Sequence, residues 1–143
     1  MLISLMGTSK IKTKVCFEIK FLNNTCRSEA LIDTGNLVMD PLGMKPVLII
    51  KKELAKSFLP DRIIELTDLD DLEKGVKKRI RLIPISKNGA THVYVGLVPD
   101  EVVIYNNDKK QYIDVTVAID KEGGDFGGFL ALMPFSAINN ALG

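Results

Sequence analysis

Asp33, Thr34 and Gly35 are the residues of this chain whose types and spacing could do chemistry. Ala30-Leu31-Ile32 leads into them and reads as the end of a strand with little exposed surface. Asp33 then stands where that strand leaves the sheet. Thr34 can hydrogen-bond the neighbouring backbone and hold a turn. Gly35 permits a backbone conformation or a close approach that a side chain would block. The result is a carboxylate fixed on a rigid loop, suited to acid–base chemistry. The tripeptide Asp-(Thr/Ser)-Gly occurs by chance in roughly 5–10% of chains of this length, mostly as an ordinary turn. Its context therefore has to carry the argument.

Hydrolysis of a peptide bond by carboxylates alone needs two of them, close enough to share one proton. Like charges that near cannot both ionise, so one serves as base and the other as acid. This chain has a single Asp-Thr-Gly. Asp125-Phe126-Gly127 is no second copy, because Phe stands where the hydroxyl is needed. Asp33 thus reads as the candidate catalytic residue of an aspartic-protease half-site, and a second copy of the chain is expected to supply the other half across a two-fold axis. The same fold with an unpaired Asp33 would be a catalytically silent peptide-binding or dimerisation module. Dimer formation separates the two.

The other chemistry-bearing residues assemble nothing comparable. His92 is the one histidine and has no second histidine or paired cysteine nearby, so neither a metal site nor a Ser–His triad is expected. Asp68, Asp70, Asp71 and Glu73 lack the spacing and loop glycine of a calcium-binding hand and read as a solvated helix face. Gly123 to Gly128 has no Lys-Ser/Thr after it and reads as a mobile connection, not a phosphate loop. No metal or organic cofactor is expected.

The bulk properties agree with a small globular domain. The chain has 143 residues, 46% hydrophobic and 26% charged, enough for one core. Nineteen Lys+Arg against eighteen Asp+Glu leave a net charge of +1, with no field of one sign to attract nucleic acid. Cys16 and Cys26 flank a hairpin turn and read as free buried thiols. No apolar run is long enough to cross a bilayer. Residues 1–9 read as an N-terminal extension and 10–143 as one domain.

The elements that must position Asp33 are mostly strands. From Ile11 to Phe21 apolar and charged residues alternate, the mark of a half-buried strand. Asn23-Asn24 reads as its turn, and Thr25 to Ile32 returns to Asp33. Asp40-Pro41-Leu42-Gly43 is a turn and Pro46 to Ile50 a buried strand. Lys51 to Leu59 has helical spacing, and Thr67 to Lys74 a weaker one that Gly75 would end. Arg79 to Ile85 and Thr91 to Val98 form a hairpin around Asn88-Gly89, with Thr91, Val93, Val95 and Leu97 on one face. Ser86, Lys87, Asn88, Gly89 and Ala90 are the candidate flap over a substrate strand. Glu101 to Tyr105 and Gln111 to Ile119 form a further hairpin. Phe129 to Met133 is an apolar strand, and Pro134 starts a helix. The fold is expected to be mainly β, with two or three short helices.

Leu31-Ile32-Asp33-Thr34-Gly35-Asn36, Asp40-Pro41 and Pro46-Val47 together resemble the sporulation peptidase family that processes the sigma-E precursor in endospore-forming bacteria. Arg79-Ile80-Arg81-Leu82-Ile83-Pro84, Val98-Pro99-Asp100-Glu101-Val102 and Leu130-Ala131-Leu132-Met133-Pro134 extend the likeness over nearly the whole chain from about Lys12. The resemblance implies a retropepsin-like acid-protease half-barrel, active as a homodimer. Asp33 would be its catalytic carboxylate, Thr34 and Gly35 its signature loop, and the hairpin at 86–90 its flap. It further implies a sigma-factor precursor as substrate and a secreted activating signal protein as partner. Members carry a membrane-embedded N-terminal half that holds the protease at the cytoplasmic side of the mother-cell membrane. That half is absent from this sequence, which reads as an excised soluble domain or a shortened relative.

Overall fold

In a computed structural model, residues 13–142 are described. The expected extension over 1–9 lies outside them, as do Lys10, Ile11 and Lys12. The protein is mainly β: nine strands form one sheet. They are β1 (Lys14–Phe21), β2 (Asn24–Asp33), β3 (Val47–Lys51), β4 (Ile80–Lys87), β5 (Ala90–Leu97), β6 (Glu101–Asn106), β7 (Lys109–Ile113), β8 (Thr116–Asp120) and β9 (Ala131–Pro134). Their order across the sheet is β4-β5-β8-β3-β9-β2-β1-β6-β7. Four short helices accompany them: α1 (Lys52–Lys56), α2 (Asp61–Ile64), α3 (Lys74–Lys77) and α4 (Phe135–Leu142). Among the described residues no helix is long and apolar enough to cross a membrane.

Alternation in β1 does what its period requires. Val15, Phe17, Ile19 and Phe21 are buried, while Lys14 and Lys20 face water. Burying each of these large side chains stabilises the fold by about 1.5–3 kcal/mol. The central strands instead read as unbroken apolar runs because both of their faces are covered. In β3, Leu48 and Ile50 join the larger core with Phe17, Ile63, Ile64 and Ile138. Val47 and Ile49 of the same strand join a smaller core with Ile83, Ile85, Tyr94, Ala118 and Phe126. The helices supply their apolar residues to the larger core.

Several boundaries differ from expectation, each for a local reason. The first turn is Leu22-Asn23, not Asn23-Asn24: Phe21 pairs with Asn24, and Leu22 takes the positive φ of 50°. Helix Lys51 to Leu59 shortens to α1. The helix expected over Thr67 to Lys74 is absent; Asp68 accepts the Asp70 N–H at 2.9 Å and caps a 3-10 turn at Leu69–Asp71. Gly75 ends nothing, since it lies within α3. Gln111 to Ile119 breaks into β7 and β8, because the first half pairs with β6 and the second crosses to lie between β5 and β3. In β5, Val95 and Leu97 reach the larger core as expected, but Val93 is exposed and Tyr94 is buried instead. Cys16 and Cys26 are free, but only Cys26 is buried. Opposite Cys16 stands Glu29 and opposite Cys26 stands Ile19, so no bridge joins them.

Candidate active site

Asp33 closes β2, which pairs in parallel with β9 through Leu31–Leu132, Ile32–Met133 and Asp33–Pro134. Strand β9 lies between β2 and β3. A chain leaving β2 must therefore cross the end of β9 to reach β3, and Thr34 and Gly35 begin that crossing. Asp33 is half-buried, Thr34 and Gly35 are exposed. The Gly35 N–H donates to Asp33 Oδ1 at 2.9 Å, which fixes the carboxylate's orientation. A Cβ on residue 35 would stand 3.3 Å from that oxygen, so glycine leaves the carboxylate its room.

The turn is not held by Thr34 as expected: among the described residues its hydroxyl has no hydrogen-bond partner. Asn36 holds it instead. This side chain is 7% exposed. Its Nδ2 donates to the Val47 carbonyl at 3.0 Å, and its Oδ1 accepts the Val38 N–H at 3.2 Å. Both limbs of the crossing are thereby clamped, and a Met39–Pro46 bridge closes them further out. Asn36→Ala removes both bonds and strands two backbone groups. It should cost about 1–3 kcal/mol, read as a lower denaturant midpoint. An unchanged midpoint would refute the clamp.

The expected hairpin tip has its turn chemistry. Ser86 and Lys87 end β4, Ala90 opens β5, and Lys87 pairs with Ala90 around Asn88-Gly89. With φ of 51° and 79°, the two central residues satisfy the need of a type I′ turn for positive φ at both positions. A Cβ on Gly89 would meet nothing within 4 Å, so strain alone opposes a side chain there. Gly89→Val should destabilise the hairpin by about 1–2 kcal/mol, raising amide exchange of β4 and β5. Unchanged exchange would exclude that strain.

Three hairpin side chains converge on Glu122. Lys87 Nζ lies 3.2 Å from its Oε1, Tyr94 hydroxyl donates to the same oxygen at 3.2 Å, and His92 Nδ1 lies 2.8 Å from Oε2. Burial pushes the Glu122 carboxyl up, but these three partners outweigh it and hold it below the usual carboxylate range. The hairpin is thus tied to the glycine-rich loop. That loop is itself anchored: Asp120 accepts the Glu122 and Gly124 N–H groups at 2.7 and 3.0 Å, and Phe126 is buried.

Sheet order keeps the two sets of candidate residues apart. Strands β8, β3 and β9 separate β5 from β2. They communicate through the smaller core, where Val38 of the crossing packs against the cluster that holds Ile83, Ile85 and Tyr94. Sequence reasoning overlooked Asn36 and Glu122, and also Gly96. A Cβ on Gly96 would stand 2.9 Å from the Val117 carbonyl oxygen, so only glycine lets β5 lie this close to β8. Among the described residues no group of three or more His, Cys, Asp or Glu could hold a metal ion.

The domain is mainly β, with its Asp-Thr-Gly turn at the end of an inner strand of the sheet. Residues 2–126 match the peptidase family U4, described as Sporulation factor SpoIIGA, and the chain belongs to that family. It is similar to the sporulation sigma-E factor-processing peptidase of Priestia megaterium (strain ATCC 12872 / QMB1551), with 28% identity over 111 residues. That match covers 71% of this chain and 36% of the relative, so the chain spans well under half of that protein's length. No solved structure matches it.

Proposed function

We propose that the chain is an aspartic endopeptidase domain over residues 10–143 that acts as a homodimer and processes a sigma-factor precursor during sporulation. The observation that carries the reading is Asp33 itself: a half-exposed carboxylate at the end of a sheet strand, oriented by the Gly35 N–H, in a chain of a peptidase family. Each copy contributes one Asp33. With the two carboxylates in contact, one stays protonated and one ionised. The ionised carboxylate takes a proton from water as that water attacks the peptide carbonyl. The protonated one gives its proton to the carbonyl oxygen; the other, now carrying the water's proton, passes it to the leaving amine as the C–N bond breaks, and a gem-diol hydroxyl returns a proton to the first.

Exposed apolar residues support the requirement for a second copy. Leu37, Met39, Leu42 and Met44 are 81%, 41%, 77% and 71% exposed, all on the crossing that begins at Thr34. Such a group at the rim of a site is a surface for another chain. The hairpin tip at 86–90 serves as the flap under which an extended substrate strand lies. The substrate class follows the relative's name, which is that of a sigma-E factor-processing peptidase. A secreted activating partner and a place at the cytoplasmic side of the mother-cell membrane belong to the same proposal.

Cleavage of a peptide spanning the sigma-precursor processing site tests it, run over a concentration series beside sedimentation. The expected rate per chain rises with concentration as dimer forms. A peptide with a hydroxyethylene isostere at the scissile position should block it, and chelators and serine-directed reagents should not. Cleavage by a monomer, or cleavage abolished by a serine reagent, overturns the proposal. A monomer that binds the peptide without cleaving it would establish the silent module instead.

A further inference from the structure

Asp40 is the most deeply buried carboxylate of the chain's described residues, at 1% exposure, and the proposed chemistry does not use it. Its Oδ1 accepts the Leu42 N–H at 2.9 Å, and its Oδ2 accepts the Thr116 hydroxyl at 2.8 Å. Arg81 Nε stands 3.4 Å from the same Oδ2. That Nε is buried and makes no hydrogen bond of its own, so its attraction to Asp40 is one of charge. The other end of the guanidinium is fixed, with Nη1 donating to the Lys78 and Ile80 carbonyls at 3.1 Å.

These partners belong to three different elements. Asp40 lies on the crossing that starts at Asp33, Thr116 on β8, and Arg81 on β4, the strand that runs up to the hairpin tip. The cluster borders the smaller core, to which Ile83 of β4 and Ala118 of β8 contribute. An apolar filling would hold such elements together at least as strongly, since a buried ion pair is seldom worth its desolvation. What adds direction is the set of hydrogen bonds that hold each member of the pair: Leu42 and Thr116 fix Asp40, and the Lys78 and Ile80 carbonyls fix Arg81. Gly43 leaves the pair space, because a Cβ there would stand 3.1 Å from Asp40 Oδ2.

We infer that Asp40 and Arg81 are a positioning pair that sets the Asp33 loop relative to the β4–β5 hairpin, and with it the gap in which a substrate strand lies. This rests on the aspartic-peptidase reading. Neither residue touches the reacting atoms. Both act through the elements they join.

The test uses the intact chain with Arg81→Gln, Arg81→Lys, Asp40→Asn and the Asp40→Asn/Arg81→Gln pair. Activity is expressed per folded molecule, with folded fraction measured separately. Arg81→Gln is expected to lower kcat/KM at least about tenfold, with KM raised. Arg81→Lys, which keeps the charge, should recover part of the loss. The double variant should be no worse than the poorer single, because the two residues act as one unit. A second readout is independent of cleavage. Arg81→Gln should shift the amide resonances of Gly35 and Asn36, although Arg81 is on another strand. Wild-type kcat and KM per folded molecule, or unmoved Gly35 and Asn36 resonances, would overturn the inference. Asp33→Ala separates the two ideas. If that variant still cleaves, the peptidase reading fails, while the link between Arg81 and the Asp33 loop stands or falls on the resonances alone.

Discussion

Asp33→Ala will abolish precursor cleavage while leaving the fold intact. The side chain is half-buried at the end of β2, and its role in the fold is one bond from the Gly35 N–H. Its loss should therefore lower the unfolding free energy by no more than about 1 kcal/mol, read from denaturant unfolding. General acid–base groups contribute roughly 10²–10⁴-fold each, and in the proposed homodimer one substitution removes both members of the pair. The expected loss is at least about a thousandfold. Mixing makes the prediction sharper. If each active dimer needs two Asp33 side chains, adding an equal amount of Asp33→Ala chain to wild type converts half of the wild-type chains into dead mixed dimers. At concentrations where the chain is fully dimeric, activity then halves although the amount of wild type is unchanged. A monomeric enzyme would show no change on mixing. Retained cleavage by the pure variant would remove Asp33 from the chemistry, whatever the oligomeric state.

What the sequence made legible were features whose cause lies within a few residues. The period-two alternation of β1 and the apolar runs of β3 and β9 follow directly from how many of their faces are covered. The Asn88-Gly89 turn and the glycine beside Asp33 were legible for the same reason, since backbone geometry dictates both. Illegible were the features decided by partners distant in sequence. The break between β7 and β8 left no trace, because Ile113, Val115 and Val117 continue one alternation while the chain changes neighbours. The 3-10 turn at Leu69–Asp71 was decided by one carboxylate cap, which outweighed a weak helical pattern. Leu22 took the positive φ in place of an Asn because the register of β1 and β2 placed the turn one residue earlier. At the site, Asp33 and Gly35 were legible as a local signature. Asn36, Asp40, Arg81 and Glu122 were not, since each matters through a contact with another element. A polar residue gives no sign in sequence of whether it will be buried.

Asp40→Ala should be the most destabilising single polar change in the chain, at about 3–5 kcal/mol. It strands the Thr116 hydroxyl, the Leu42 N–H and the Arg81 Nε. The same contacts make stability depend on acid. Burial pushes the Asp40 carboxyl up, but the Thr116 hydroxyl, the Leu42 and Gly43 N–H groups and the Arg81 charge outweigh it and hold the carboxyl below its ordinary 3.8. The unfolded chain therefore binds that proton more readily than the folded one. The stabilisation is fully present above the ordinary value and is lost as pH falls below it, through the folded value. Glu65, Asp70 and Glu122 are also held low, but they lie at the surface, where water screens their pairs. Asp40 should dominate the acid limb. Denaturant midpoints at pH 7, 5, 4 and 3 check this: wild type should lose stability most over the last step, and Asp40→Asn, weaker at pH 7, should lose much less there. Parallel acid limbs for the two proteins would place the acid-sensitive group elsewhere. A shallow limb for Asp40→Asn would mean that protonation of Asp40 carries the acid loss of the wild type.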